Sequence, residues 1–260
     1  MTTGTSASGT FYILNQKEQS IPIVFIHGVG LSYEIWQPQL DFFTNYSTLA
    51  YDILGHGKSS LKKQNISFDD FSDQLIKLID ELNFQKIHLV GFSIGSLIAR
   101  NFATKFNDRL QSLVLLGSIY KRTEQQQKIV SERFNQAKKE LKLSKLALKR
   151  WFTDKYLENN PDTYDKISSI LSSNNMANFI KVYELFVNHK NDEDFEKITV
   201  NTLITTGEND IGSTIEMSQE LNKIIKNSQL KIIENGKHLC GIECADDVNL
   251  TIKNFIDSNE

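Results

Sequence analysis

Apolar residues along the chain recur in two alternating patterns. Short runs with little or no polar alternation fall at Ile23 to Ile26, Leu49 to Tyr51, Ile87 to Val90, Leu113 to Leu116, Thr202 to Thr205 and Leu230 to Ile233. Runs of that kind predict strands buried on both faces, as in a parallel sheet covered by helices. Phe11 to Leu14 reads as a further strand at an edge. Between the strands, apolar positions return at three- and four-residue steps. Phe68, Phe71, Leu75, Leu78, Ile79 and Leu82 predict a helix capped by Ser67 or Asp69. Helices are likewise predicted over Trp36 to Phe43, Ile94 to Phe106, Thr214 to Lys226 and Ala245 to Ile256. The first ten residues, small and polar, read as a disordered leader.

The alternation stops in the middle of the chain. Residues 119–198 contain no convincing strand, only helical segments near Glu124–Leu141, Lys145–Glu158, Asp162–Ser172 and Ala177–His189. Asn159-Asn160-Pro161 and Ser172-Ser173-Asn174-Asn175 break them. The expected organisation is an α/β core formed by residues 11–118 and 199–260, interrupted by an all-helical cap at 119–198.

Composition narrows the picture only slightly. A chain of 260 residues, 40% hydrophobic, suits one sizeable α/β domain with an insertion. A net charge of −3 gives no reason to expect nucleic acid. No apolar run is long enough for a membrane span, and the start of the chain lacks a basic and apolar signal pattern. Cys240 and Cys244 read as free thiols in a reducing, cytoplasmic protein, monomeric or homodimeric. One local departure stands out. Lys and Arg crowd the stretch from Lys121 to Arg150, including Arg122, Arg133, Lys142, Lys145 and Arg150. This is a solvated helix face or a lid that attracts an anionic substrate.

Candidate chemistry gathers just past the carboxyl ends of the strands. After Val90 comes Gly91-Phe92-Ser93-Ile94-Gly95, a serine between glycines where a strand turns into a helix. Such a turn holds the nucleophile in a strained conformation above a helix N-terminus. Glu208, Asn209 and Asp210 follow the strand at Thr202, and His238 follows the strand at Leu230. Strand ends of a parallel sheet share one edge, so Ser93, Asp210 and His238 can converge. A serine hydroxyl needs a base within reach, and the base needs an acid to orient it. Asp210 is preferred over Glu208 as that acid, with Asp192 and Asp194 more remote. The other histidines have plainer roles. His27 and His56 lie in tight Gly-flanked loops and bond backbone, His88 lies inside a strand, and His189 ends a cap helix. The turn His27-Gly28-Val29-Gly30 offers a bare N–H at Val29, which with that of Ile94 would form an oxyanion hole. No metal cluster, phosphate loop or dinucleotide fingerprint is present, so no cofactor is expected.

Taken together, His27-Gly28-Val29-Gly30, Trp36, Asp52 with Gly55-His56-Gly57-Lys58-Ser59, the Ser93 turn, Gly207 to Asp210 and Gly236-Lys237-His238 resemble the α/β-hydrolase fold family. The likeness is to its small capped esterase and lactonase branch, and the first half is most similar to 3-oxoadipate enol-lactonases and related carboxylesterases. The resemblance implies a serine hydrolase acting through an acyl-enzyme on a small ester or lactone, with Trp36, Phe92 and Leu239 at the substrate pocket. C–C bond hydrolases of ring-cleavage products and slow-turnover ligand receptors of the same fold are the alternatives. Two segments depart from the enol-lactonase pattern: Ile211-Gly212-Ser213-Thr214 after the acid, and Leu239 to Cys244 after the histidine.

Overall fold

A computed structural model describes residues 1–18, 20–140 and 146–260. Eight strands form one sheet: β1 Thr2–Thr5, β2 Phe11–Asn15, β3 Ile23–Ile26, β4 Thr48–Tyr51, β5 Ile87–Phe92, β6 Leu110–Leu116, β7 Thr202–Gly207 and β8 Ser228–Ile233. Their order across the sheet is β1-β2-β4-β3-β5-β6-β7-β8. The two pairings nearest the β1 edge, β1 with β2 and β2 with β4, are antiparallel, and the remaining five are parallel. The strands β3, β4 and β5 are buried along their whole length, as their unbroken apolar runs require.

Alternate residues of each strand feed two separate cores. Val24, Ile26, Leu89 and Leu113 pack with α2 (Phe68–Glu81) and α3 (Ile94–Lys105) on one face. Phe25, Val90, Val114 and Leu203 pack with α1 (Gln37–Phe42) and α11 (Ala245–Asp257) on the other. The two-residue period of a strand thus serves both layers at once. Ser67 caps α2 in a reciprocal box with Asp70, whose carboxylate accepts the Ser67 N–H at 2.8 Å.

The N-terminal residues depart from expectation. Residues 1–10, read from composition as a disordered leader, contain β1, which pairs with β2 from Thr2↔Leu14 to Thr5↔Phe11. Threonine suits an extended edge even where no side chain is buried, and the ladder bonds come from backbone alone. The strand at Phe11 is therefore not the edge of the sheet.

Between β6 and β7 every described element is helical: α4 Glu124–Glu140, α5 Leu146–Trp151, α6 Asp154–Asn159, α7 Pro161–Ser172 and α8 Met176–Val187, then a 3-10 turn at Phe195–Lys197. One helix expected over Lys145–Glu158 is two, because the Thr153 hydroxyl accepts the N–H of Tyr156 and starts α6 afresh. Leu141 and Lys145, at the ends of predicted helices, and Lys142 lie outside the described residues. The last connecting elements are α9 Ile215–Ile224 and the short α10 Cys240–Glu243. Cys240 and Cys244 are free thiols. Among the described residues no helix is long and apolar enough to cross a membrane.

One buried charge ties the helical stretch to the core. Arg100 of α3 is fully buried; its Nη1 donates to the Ile119 carbonyl at 2.8 Å and its Nη2 to Glu193 at 2.7 Å. His189 stands 3.1 Å from the other Glu193 oxygen. Burial opposes ionisation of Glu193, but the His189 contact and the charges of Arg100 and His189 outweigh it and hold the carboxyl down to about 2. Removing one partner would leave the other charge buried and unpaired. We expect Glu193→Gln to lower the unfolding free energy by about 3 kcal/mol or more in urea titrations at pH 7. A group with a depressed pKa contributes stability above its unfolded value that is lost as pH falls towards its folded one, so the deficit should narrow on titrating from about 4.5 towards 2.

Candidate active site

Ser93 stands between β5 and α3 with φ 56° and ψ −120°, a left-handed conformation costly for any residue but glycine. The turn is closed by the Ser93 N–H donating to Leu116 of β6 at 3.0 Å and by Ser96, whose N–H donates to the Ser93 carbonyl at 2.9 Å. The glycines on either side are required sterically. A Cβ on Gly91 would fall on the Gly95 carbonyl, and one on Gly95 on the carbonyls of Ile26 and His27. The leading N–H groups of α3, that of Ile94 among them, have no intrahelical acceptor.

The other two side chains arrive from β7 and β8. His238 Nδ1 lies 2.7 Å from Asp210 Oδ2, and its Nε2 lies 3.2 Å from Ser93 Oγ. Asp210 is nearly buried, and its second oxygen accepts the N–H groups of Gly212 at 2.8 Å and Ser213 at 3.0 Å. The acid and histidine loops touch through backbone: Asn209 N–H donates to the Gly236 carbonyl at 2.8 Å. A side chain at Gly207 would strike the Gly236 and Lys237 carbonyls, so that contact needs glycine. The His238 ring packs on Phe92 at 4.9 Å and faces Trp151 at 6.5 Å. Its loop is fastened to the helical stretch by Glu243, which accepts the N–H of Lys237 at 3.0 Å and of Thr153 at 2.8 Å, and by Leu239 N–H donating to Trp151 at 3.0 Å. An oriented imidazole between a carboxylate and a serine can take and return the serine proton.

A model of the alpha/beta hydrolase fold matches residues 21–243. The chain belongs to the alpha/beta hydrolase fold family. It is 28% identical over 248 residues to the (E)-2-((N-methylformamido)methylene)succinate hydrolase of Acinetobacter baylyi, covering 94% of this chain and 93% of that protein. It is 24% identical to 3-oxoadipate enol-lactonase 2 of the same organism, covering 85% and 83%. The solved enol-lactonase of Burkholderia xenovorans superposes with a TM-score of 0.89 at 22% identity, over 95% of this chain and 96% of that one.

A cavity of about 280 Å³ opens beside Ser93 and His238 and is lined also by Val29, Phe92 and Asp210. Trp36 and Leu239, expected at the pocket, do not line it. Both are almost fully buried and meet in a separate void of about 10 Å³, behind Phe92. Trp36 is a core residue, with its ring 5.0 Å from Phe25 and 6.5 Å from Phe92. Glu208, the rival acid, is exposed and accepts the Asn235 N–H instead. Trp151, Arg122, Arg133, Arg150 and Tyr183 line the cavity from the helical stretch and were not singled out as site residues. The basic run from Lys121 to Arg150 was the signal for the arginines; helical periodicity alone does not say which of its charges face inward.

Three other histidines are structural. His27 Nε2 accepts the Ile53 N–H at 3.0 Å, His56 Nε2 accepts the Gly30 N–H at 2.8 Å, and His88 Nδ1 meets Ser112 Oγ at 2.7 Å. The first two join the loop after β3 to the loop after β4. Asp52 strengthens the same junction by accepting the N–H groups of Tyr33 and Lys58, both at 2.8 Å. Burial lowers His27 to about 4, His56 to about 3 and His88 to about 4. Each is neutral when folded yet takes a proton below about 6.5 when unfolded. Unfolding therefore consumes protons, and stability should fall as pH drops from about 6.5 towards 4, by up to ~4 kcal/mol per pH unit if all three contribute. Urea midpoints from pH 7.5 to 5 test this, and His88→Gln should remove about a third of the slope.

Proposed function

We propose that this protein is a serine hydrolase that cleaves carboxylic esters or lactones through an acyl-enzyme. The observation that carries the reading is His238 held between Asp210 and Ser93, at 2.7 and 3.2 Å, in the lining of a cavity. In this proposal Ser93 Oγ attacks the acyl carbonyl while its proton passes to His238 Nε2. The carbonyl oxygen becomes an oxyanion, which the N–H groups of Val29 and Ile94 stabilise. Collapse of that intermediate breaks the acyl carbon–oxygen bond, and His238 returns the proton to the departing alkoxide. Water then attacks the acyl-enzyme, giving its proton to His238, and Ser93 leaves with that proton as the carboxylic acid forms. Asp210 fixes the tautomer of His238 and stabilises its cation in both halves.

Residues 119–198 would act as a cap on a core of residues 11–118 and 199–260. Their side chains supply one wall of the cavity, and β6 and β7 enclose them in the chain. Enclosure by helices limits water and strengthens the electrostatics of the oxyanion step. The relatives support an ester or lactone as the substrate class, since they include proteins named enol-lactonases and an uncharacterised carboxylesterase of Bacillus subtilis.

Steady-state hydrolysis of 4-nitrophenyl esters of graded acyl length tests the reading. Ser93→Ala should lower kcat by roughly 10⁴- to 10⁶-fold, and Asp210→Asn by roughly 10³- to 10⁴-fold, with folded protein confirmed by circular dichroism. Labelling of the wild-type serine by a fluorophosphonate should disappear in Ser93→Ala. Turnover that survives this substitution would remove Ser93 as the nucleophile.

A further inference from the structure

The cavity wall opposite the core carries three guanidinium groups. Arg122 precedes α4, Arg133 lies on α4 and Arg150 on α5, and all three line the cavity with Tyr183 of α8. Among the described residues of that lining the one carboxylate is Asp210. Its oxygens already serve His238 and the amides of Gly212 and Ser213. The wall is therefore strongly positive, in a space otherwise walled by apolar groups such as Ile119, Val130 and Phe179.

The arginines are not equivalent. Arg122 donates to the carbonyls of Phe186 at 3.3 Å and Val187 at 3.1 Å and lies over the Phe186 ring at 4.7 Å. It caps the carboxyl end of α8, where the helix dipole favours a cation. Burial lowers it to about 10, so it is still charged at neutral pH. Arg133 is half-buried and has no hydrogen bond or ion pair with another described residue. It lies close enough to Arg150 that, after burial, its charge is the next cause holding Arg150 below the usual arginine range. The charges of Arg133, Arg150 and Arg122 all act on the half-buried Tyr183 phenol, against the desolvation that raises it. Like charges converging on one phenol in a half-buried cavity repel each other, and an anion among them relieves that repulsion. Planar guanidinium groups suit a carboxylate, which can accept from two of them at once.

We propose that Arg133 and Arg150, backed by Arg122 and Tyr183, receive a carboxylate carried by the substrate. The enzyme's substrates are then short esters or lactones with a free carboxylate remote from the bond that is cleaved. The bond cleaved rests on the hydrolase reading above; the anion site does not.

Two matched substrate pairs test this. One is 4-nitrophenyl butyrate against the 4-nitrophenyl monoester of succinate, with the charge on the acyl side. The other is phenyl acetate against 4-acetoxybenzoate, with the charge on the leaving group. Wild type should favour the anionic member of at least one pair in kcat/KM. Arg133→Gln and Arg150→Gln should each cut that preference by roughly ten- to a hundredfold. Lys128→Gln, on the exposed side of α4, removes the same charge outside the lining and should leave the preference intact. An unchanged preference in the arginine variants, or an equal shift in Lys128→Gln, would overturn the proposal.

Calorimetric titration of Ser93→Ala with glutarate measures the site without chemistry. Saturable binding should weaken roughly tenfold or more when Arg133→Gln is added, and Arg133→Lys should restore part of it. Failure of every ester to turn over, with glutarate still bound through Arg133, would sink the hydrolase reading and leave the anion site standing. No saturable binding, or inorganic phosphate bound as tightly as glutarate, would sink the carboxylate assignment.

Discussion

The site depends on a backbone conformation that the chain would not adopt by itself. Ser93 sits at positive φ, a state that costs of order 1–3 kcal/mol outside glycine. It persists because both flanking elements are fixed by far larger burial. β5 is held between β3 and β6, and α3 packs its apolar residues beneath the same sheet. Gly91 brings β5 against α3, and Gly95 brings α3 against the end of β3, closer than any side chain would permit. Position at the sheet edge then follows for the other two groups, since β7 and β8 run parallel to β5.

Around that turn the loops are stiffened by buried polar side chains rather than by apolar packing. His27 and His56 each bond a backbone N–H of the neighbouring loop, and Asp52 takes two more. A buried N–H without a partner is costly, so each of these side chains both satisfies backbone and fixes the path of the chain beside the cavity. Neutral imidazoles suit this because each can accept at one nitrogen while its other nitrogen meets a carbonyl.

Much of this was legible from sequence, for physical reasons that differ by element. The parallel strands betray themselves because burial on both faces leaves no room for polar residues. The three converging side chains betray themselves because strand ends of such a sheet lie at one edge. β1 was missed because Thr2 to Thr5 contribute backbone bonds and almost no burial, and hydrophobic periodicity is blind to that. Trp36 was misplaced because a large aromatic next to a functional turn is as readily core as pocket, and its distance along the chain does not decide between them. The inward arginines were hidden inside a basic helical run. Which face of α4 meets α8 depends on tertiary packing, as does the break at Thr153, which is coupled to Glu243 ninety residues away.

β6 and β7 are hydrogen-bonded neighbours from Leu113↔Thr202 to Leu116↔Thr205, although the whole helical stretch lies between them in the chain. To the sheet, that stretch is a long loop whose two ends are already side by side. Its length can therefore change without shifting the register of β6 on β7, while the bonds of Thr153 and Trp151 to Glu243 and Leu239 still tie it to the His238 loop. Under the function proposed above, one wall of the cavity could be exchanged for another while Ser93, Asp210 and His238 stay where the parallel strands put them, provided the contacts at Thr153 and Trp151 are kept.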